Sequence, residues 1–109
     1  MLQEGNVAFF NREGGATAVL KGEVDHHHAA EFRRCLDDYI CRKRPSVLWL
    51  DVSGVSFMDS SGLGLLMGRY ALLKRAGGEL VLYRPSDEMM RIIRLAGMER
   101  ILKIVKKDS

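Results

Sequence analysis

The feature that most constrains the fold of this chain is the apolar run VLWLDV at residues 47–52, which follows a proline at position 45. A nearly unbroken apolar run is typical of a strand that is covered on both faces, and such strands occur mainly in parallel sheets. The segments before and after the run carry apolar residues at helical spacing. We therefore expect residues 47–52 to form the central strand of an α/β sheet.

The segment before this run predicts a hairpin followed by a helix. Residues 6–11 and 16–21 have the character of strands, and the paired Gly14 and Gly15 between them supply the positive φ that a tight hairpin needs. Asp25 is the expected N-cap of the helix, which ends before Pro45. Its expected buried stripe consists of Phe32, Cys35, Leu36, Tyr39 and Ile40.

The second half of the chain alternates helices with strands. A helix is predicted from about Ser60 to Ala76, then a strand at residues 79–83, a helix capped by Ser86 and a short strand at residues 101–105. The inward face expected for the first of these helices consists of Leu63, Leu66, Met67, Tyr70 and Leu73. The order ββαβαβαβ predicts one α/β domain over residues 1–109, with a mixed sheet whose antiparallel part is the N-terminal hairpin.

Composition excludes several classes of function. With 109 residues, 47% of them hydrophobic, the chain suits one domain and is too short for a multidomain enzyme. A net charge of +3 is too small to indicate nucleic-acid binding. No apolar stretch reaches the length of a membrane span and the first residues do not resemble a signal peptide, so we expect a cytoplasmic protein without a membrane partner. Cys35 and Cys41 are expected to be reduced thiols on different sides of one helix.

Residues 56–64, SFMDSSGLG, are the most informative segment for chemistry, because they join the central strand region to the second helix. Ligand and partner sites in α/β domains gather beyond the carboxyl ends of strands, and a helix N-terminus there favours an anion such as phosphate. A purely structural interpretation is that Asp59 or Ser60 only caps the helix, and that Gly62 and Gly64 let it pack closely on the sheet. The pattern alone leaves both interpretations open.

Catalytic and metal sites lack the residues that they need. The spacing of Gly62, Gly64 and Gly68 misses the dinucleotide fingerprint by one position, and no Gly-Lys-Ser/Thr follows to form a phosphate-binding loop. No histidine after residue 28 could serve as the base of a serine hydrolase. Three successive histidines at residues 26–28 point in different directions on a helix, so we expect them to be solvated. We thus predict no catalytic residue, no metal site and no cofactor.

Four segments, in this order, resemble the STAS domain family: GEVDHH at residues 22–27, FMDSSGLG at 57–64, GRY at 68–70 and GGELV at 77–81. Within that family the chain is similar to the anti-sigma F factor antagonists of spore-forming bacteria. The resemblance implies a mixed sheet with helices packed on it, in agreement with the order predicted above. It also implies a binding module rather than an enzyme.

The resemblance further implies how such a module works. The unphosphorylated form binds an anti-sigma factor, itself an ATP-dependent serine kinase, and thereby releases the sigma factor. The kinase phosphorylates the first serine of the DSSG motif, here Ser60, and a metal-dependent serine phosphatase reverses the modification. Carried over by position, the partner-binding residues are Asp25, His26, Asp59, Ser61 and Gly62.

The chain departs from the family pattern at two places, and two alternative functions are compatible with its sequence. His28 stands where close relatives have a small hydroxyl residue, and the terminal helix usual in the family is expected to be absent or rudimentary, because only four residues follow Val105. One alternative is another STAS role, as a subunit of a stress-signalling complex or a regulator of a transport system. The other is weak nucleotide binding at the helix start near Ser60, which titration with GTP and ATP would detect. We expect a monomer that binds no nucleic acid.

Overall fold

The computed structural model describes residues 2–4 and 6–106, the first three by their backbone alone. Its strands are β1 (Leu2–Glu4), β2 (Val7–Arg12), β3 (Gly15–Val24), β4 (Val47–Met58), β5 (Glu79–Tyr83) and β6 (Lys103–Val105). Its helices are α1 (Ala29–Lys43), α2 (Ser60–Arg75) and α3 (Asp87–Leu95), and a 3₁₀ turn follows at Met98–Arg100.

The strands lie in the sheet in chain order. β1, β2 and β3 pair antiparallel, whereas β3, β4, β5 and β6 pair parallel. The predicted mixed sheet with an N-terminal antiparallel hairpin and helices packed on it is confirmed. Strand β1 was not predicted and precedes the predicted order of elements.

The hairpin uses its two glycines for different purposes, which corrects the prediction that both supply a positive φ. Gly14 has a φ of 81° and makes the turn. Gly15 already belongs to β3, and a Cβ at this position would lie 1.9 Å from the carbonyl oxygen of Val47. Glycine at position 15 therefore lets β4 approach the end of the hairpin.

Strands β3 and β4 both extend beyond their predicted ends at residues 21 and 52. They pair in parallel as far as Val24 opposite Met58, with register shifts after Val19 and Gly22. The apolar pattern of β4 stops early because Ser53, Gly54 and Ser56 are exposed, but β3 still supplies backbone partners alongside them. Because of this extension, the segment that follows β3 and the segment that follows β4 leave the sheet side by side.

All three helices contribute to one core on a single face of the sheet. Their buried side chains join those of β4 and β5, including Leu48, Leu50, Val52, Leu80 and Leu82. On the other face, side chains from the sheet itself provide the cover: the Arg12 guanidinium lies 3.6 Å from the centroid of the Trp49 ring, which packs edge-on against Tyr83. The prediction that β4 is covered on both faces therefore holds fully for its helix side and only in part for the side of half-buried Trp49.

The helices confirm one predicted face and correct another. In α1 the five predicted residues are buried, and Cys35 is buried whereas Cys41 is exposed. In α2, Leu66 and Leu73 are buried as predicted, but Leu63, Met67 and Tyr70 are only partly buried. Leu65 and Arg69 are buried instead, because α2 packs against α1 as well as the sheet. Within the described residues, no helix is long and apolar enough to cross a membrane.

Candidate functional site

The start of α2 is fixed by Asp59, which is the N-cap residue of that helix. Its Oδ1 accepts a hydrogen bond from the Ser61 N–H at 2.8 Å, as a capping aspartate should. Its Oδ2 accepts from the His26 N–H at 3.2 Å, and its own N–H donates to the Val24 carbonyl oxygen at 3.3 Å. One aspartate thus ties the start of α2 to the segment that follows β3, and the two predicted motifs meet.

The two serines of the motif differ in accessibility. Ser60, the first residue of α2, is exposed, whereas Ser61 is half-buried and its backbone N–H is held by the cap. Sequence reasoning could not choose between them, and exposure favours Ser60 as the residue that another protein reaches. Its hydroxyl lies at the N-terminal end of a 16-residue helix, where the free N–H groups and the helix dipole favour negative charge.

Gly62, expected at the partner-binding surface, is buried on the side of α2 that faces the sheet. A Cβ at this position would lie 2.2 Å from Cγ and 2.4 Å from Sδ of Met58, and 3.4 Å from Cγ1 of Val24. The glycine allows α2 to sit on the ends of β3 and β4, which supports the close-packing role considered for it. Apart from its chain neighbours and the backbone of its own helix, no described atom lies within 4 Å of the Cβ position of Gly64, so the same role does not apply there.

Asp25 caps a turn and not the first turn of α1, which corrects the predicted helix start. Residues 26–28 form the turn, and α1 begins at Ala29. Oδ1 of Asp25 accepts from the His28 backbone N–H at 2.9 Å and lies 2.7 Å from Nδ1 of the His28 ring. Desolvation acts to raise the pKa of the Asp25 carboxyl, but the hydrogen bonds from His28 outweigh it, so that the pKa lies below its ordinary value.

His28, the residue that departs from the family pattern, therefore takes part in the turn through its own side chain. His26 and His27 are exposed, with ring centroids 5.9 Å apart. In the part of the chain that the structure describes, no group of three histidine, cysteine, aspartate or glutamate side chains is arranged to hold a metal ion.

An exposed aromatic side chain lies beside the site and was not among the predicted site residues. Phe57 is 50% exposed although Met58, its neighbour in β4, is buried. It borders a groove of about 290 Å³ between the end of β4 and the start of α3, which Ser56, Ser86, Met89 and Arg91 also line. Strand alternation would have signalled it, since a buried Met58 places Phe57 on the opposite face.

A second cleft lies on the other side of Ser60, between α1 and α2, and contains a buried arginine that the sequence pattern did not reveal. Arg69 of α2 is only 7% exposed and its Nε lies 2.7 Å from Oδ1 of Asp37 in α1. Burial lowers the pKa of the Arg69 guanidinium, the nearby Arg33 acts in the same direction, and Asp37 partly offsets both. An arginine at a position on the leucine-rich inner face of a helix does not by itself predict burial or an ion pair.

Comparison with known proteins assigns the chain to a family. A sequence model of the STAS domain matches residues 12–107. The anti-sigma F factor antagonist of Paenibacillus polymyxa is 35% identical over 89 residues, which cover 82% of this chain and 76% of that protein. The anti-sigma-B factor antagonist of Listeria monocytogenes is 36% identical over 85 residues, covering 78% and 74% of the two chains.

Solved structures agree with this result. The anti-sigma factor antagonist SpoIIAA in its unphosphorylated form superimposes with a TM-score of 0.71 at 25% identity, covering 94% of this chain and 88% of its own. The Bacillus cell fate determinant SpoIIAA in the phosphorylated form gives 0.69 at 26% identity, covering 91% and 90%. Family model, curated relatives and fold all lead to the same assignment: this chain belongs to the STAS domain family.

Proposed function

We propose that this protein is an anti-sigma factor antagonist, a binding module without catalytic activity that binds an anti-sigma factor and so releases a sigma factor. Relatives at 35% and 36% identity carry that name, and the fold matches SpoIIAA over nearly the whole chain. The docking surface is built around the start of α2, where Ser60 and Phe57 are exposed and Asp59 joins the two motifs. This activity requires no cofactor, and we place it in the cytoplasm.

We further propose that Ser60 is phosphorylated by the anti-sigma factor, acting as a serine kinase, and that a serine phosphatase restores the free hydroxyl. The observation that carries this proposal is the exposure of Ser60 at the first position of α2 next to a half-buried Ser61. The candidate partner contacts are Asp25, His26, Asp59 and Ser61 of the two joined motifs, whereas Gly62 contributes by letting the helix pack on the sheet.

Phosphorylation would switch binding without unfolding the domain. A phosphoryl group adds a charge of about −1.5 to −2 at pH 7. At the N-terminus of α2 the helix dipole favours that charge by about 0.3–1 kcal/mol. A partner carboxylate facing the phosphate would instead be repelled by about 2–4 kcal/mol at an effective dielectric constant of about 20–40. That repulsion corresponds to a loss of affinity of about 30- to 1,000-fold.

Variants of the two serines test this function directly. We expect Ser60→Ala to fold normally and to bind the anti-sigma factor encoded in the same genome, whether or not ATP is present. Ser60→Asp should weaken binding, because it places a permanent negative charge at the helix start. Ser61→Ala is the matched control for the choice of serine: because it retains Ser60, its affinity should fall when ATP is added, as that of the wild type does. Isothermal titration calorimetry with and without ATP measures all four proteins, and wild-type protein that fails to bind the anti-sigma factor would contradict the proposal.

A further inference from the structure

The cleft between α1 and α2 carries positive charge that the neighbouring carboxylates do not fully pair. It has a volume of about 400 Å³ and is lined by residues of both helices and of the turn before α1, including His26, Arg33, Ser61, Gly64 and Arg69. Ser61 places one end of the cleft directly beside Ser60. The lining therefore adjoins the proposed phosphorylation site and is distinct from the groove that Phe57 borders.

Two guanidinium groups lie in this region, and only one of them is paired with a carboxylate. Asp37 forms an ion pair with Arg69, and no carboxylate of the described residues is paired with the exposed Arg33. Asp59 also lies near, but its two oxygens accept hydrogen bonds from the backbone N–H groups of Ser61 and His26. Among residues 6–106, the positive charge of Arg33 is thus left without a carboxylate partner.

Arg69 supplies an independent observation that points to a missing anion. The residue is 93% buried, since only 7% of its surface is exposed, and it lines the cleft. Its Nη1 is buried and has no hydrogen-bond partner among residues 6–106, and its Nε–H is not aligned with Asp37 despite the 2.7 Å separation. Buried polar groups in folded proteins are nearly always bonded, so the incomplete pairing of Arg69 leaves positive charge at the cleft that favours an anion.

We propose that this cleft receives an acidic side chain of the anti-sigma factor, whose carboxylate pairs with Arg33 in the field of Arg69. The inference rests on the proposed function and identifies the partner chemistry at its docking surface. An aspartate or glutamate suits the site because one unpaired guanidinium at the rim matches one carboxylate, and a guanidinium binds a carboxylate through two parallel N–H bonds. Gly64 leaves space in the cleft, since no described atom outside the neighbouring backbone of α2 lies within 4 Å of its Cβ position.

This pairing explains how a phosphate on Ser60 acts on the partner. The phosphate would stand beside the cleft entrance, next to Ser61, and would both attract Arg33 and repel the incoming carboxylate. The positive cleft thus favours the partner when Ser60 is free and favours the phosphate when Ser60 is modified.

Charge reversal at the rim of the cleft tests the inference. We expect Arg33→Glu to weaken binding of the anti-sigma factor by about 10-fold or more, the scale of one lost charge-assisted pair. Arg75→Glu is the matched control: it makes the same charge change at the exposed far end of α2 and should alter affinity less than about 2-fold at 0.15 M salt, where charges beyond about 8 Å are screened. Gly64→Glu should weaken binding as Arg33→Glu does, because it places a carboxylate in the cleft.

Compensation then identifies the partner residue. Changing each exposed acidic residue of the anti-sigma factor to lysine should reveal one variant that restores the affinity of Arg33→Glu. If wild-type protein binds the anti-sigma factor and Arg33→Glu and Gly64→Glu bind it equally well, the carboxylate site is refuted while the antagonist function stands. If the wild type does not bind at all, the proposed function fails together with it.

Discussion

Two glycines at the start of α2 permit a direct test of how that helix is seated. Gly62→Ala and Gly64→Ala make the same chemical change within the same helix, two residues apart. Both gain about 0.5–1 kcal/mol from the higher helix propensity of alanine. Only Gly62→Ala forces a methyl group to within 2.2 Å of Met58, which is itself buried with Val24 close behind.

The difference between the two variants therefore isolates packing. Inserting a methyl group into a filled core costs about 1–3 kcal/mol, so Gly62→Ala should be less stable than Gly64→Ala by that amount. For a domain of this size the gap corresponds to roughly 4–12 °C in Tm. Thermal unfolding followed by circular dichroism measures it, with Gly68→Ala as a second open position that should behave like Gly64→Ala. Equal stability of Gly62→Ala and Gly64→Ala would refute the seating of α2 on the ends of β3 and β4.

Three further predictions concern stability. Asp59→Ala should cost about 0.5–2 kcal/mol in chemical denaturation, because it removes the N-cap of α2, and an unchanged midpoint would count against that cap. Burial acts to raise the pKa of Asp51, but hydrogen bonds from Arg84 and Ser53 hold it below the ordinary 3.8, so its contribution is present above about pH 5 and lost as the pH falls through the lowered pKa. Asp51→Asn should then lose about 1–3 kcal/mol at pH 7, and its stability should converge with that of the wild type as the pH falls through the lowered pKa of Asp51. A gap that persists in acid would contradict the ion pair. Leu66→Ala, which empties a side chain only 2% exposed, should cost about 2–5 kcal/mol, and an unchanged Tm would show that this side chain does not face the core.

Local patterns sufficed for the elements that have strong periodicity. The stripe of α1 and the hairpin before it follow from spacing and turn residues, and both are confirmed. The extension of β4 to Met58 could not be predicted in this way, because its last residues depend on backbone pairing with β3 rather than on burial of their own side chains. The start of α1 was placed too early because Asp25 holds a separate turn through His28, an arrangement that resembles a helix cap in sequence.

The candidate site also has features that local patterns predict and features that depend on the tertiary structure. The DSSG motif predicted where Ser60 lies, since a capping aspartate and a helix start are local features. The choice of Ser60 over Ser61 needed their exposures, and the burial of Gly62 needed the positions of Met58 and Val24. Arg69 was hidden because its partner Asp37 lies on another helix, and contact across two helices leaves no trace in either pattern.

Phosphorylation of Ser60 as the switch of binding is tested most directly by two measurements after incubation with the anti-sigma factor and ATP. Peptide mapping by mass spectrometry locates the modification, and titration measures the affinity of the modified protein for the same partner. We predict one added phosphoryl group, located on Ser60, and an affinity at least about 30-fold below that of the unmodified protein. Modification of Ser60→Ala to the same extent as the wild type, or full affinity of the phosphorylated protein, would contradict it.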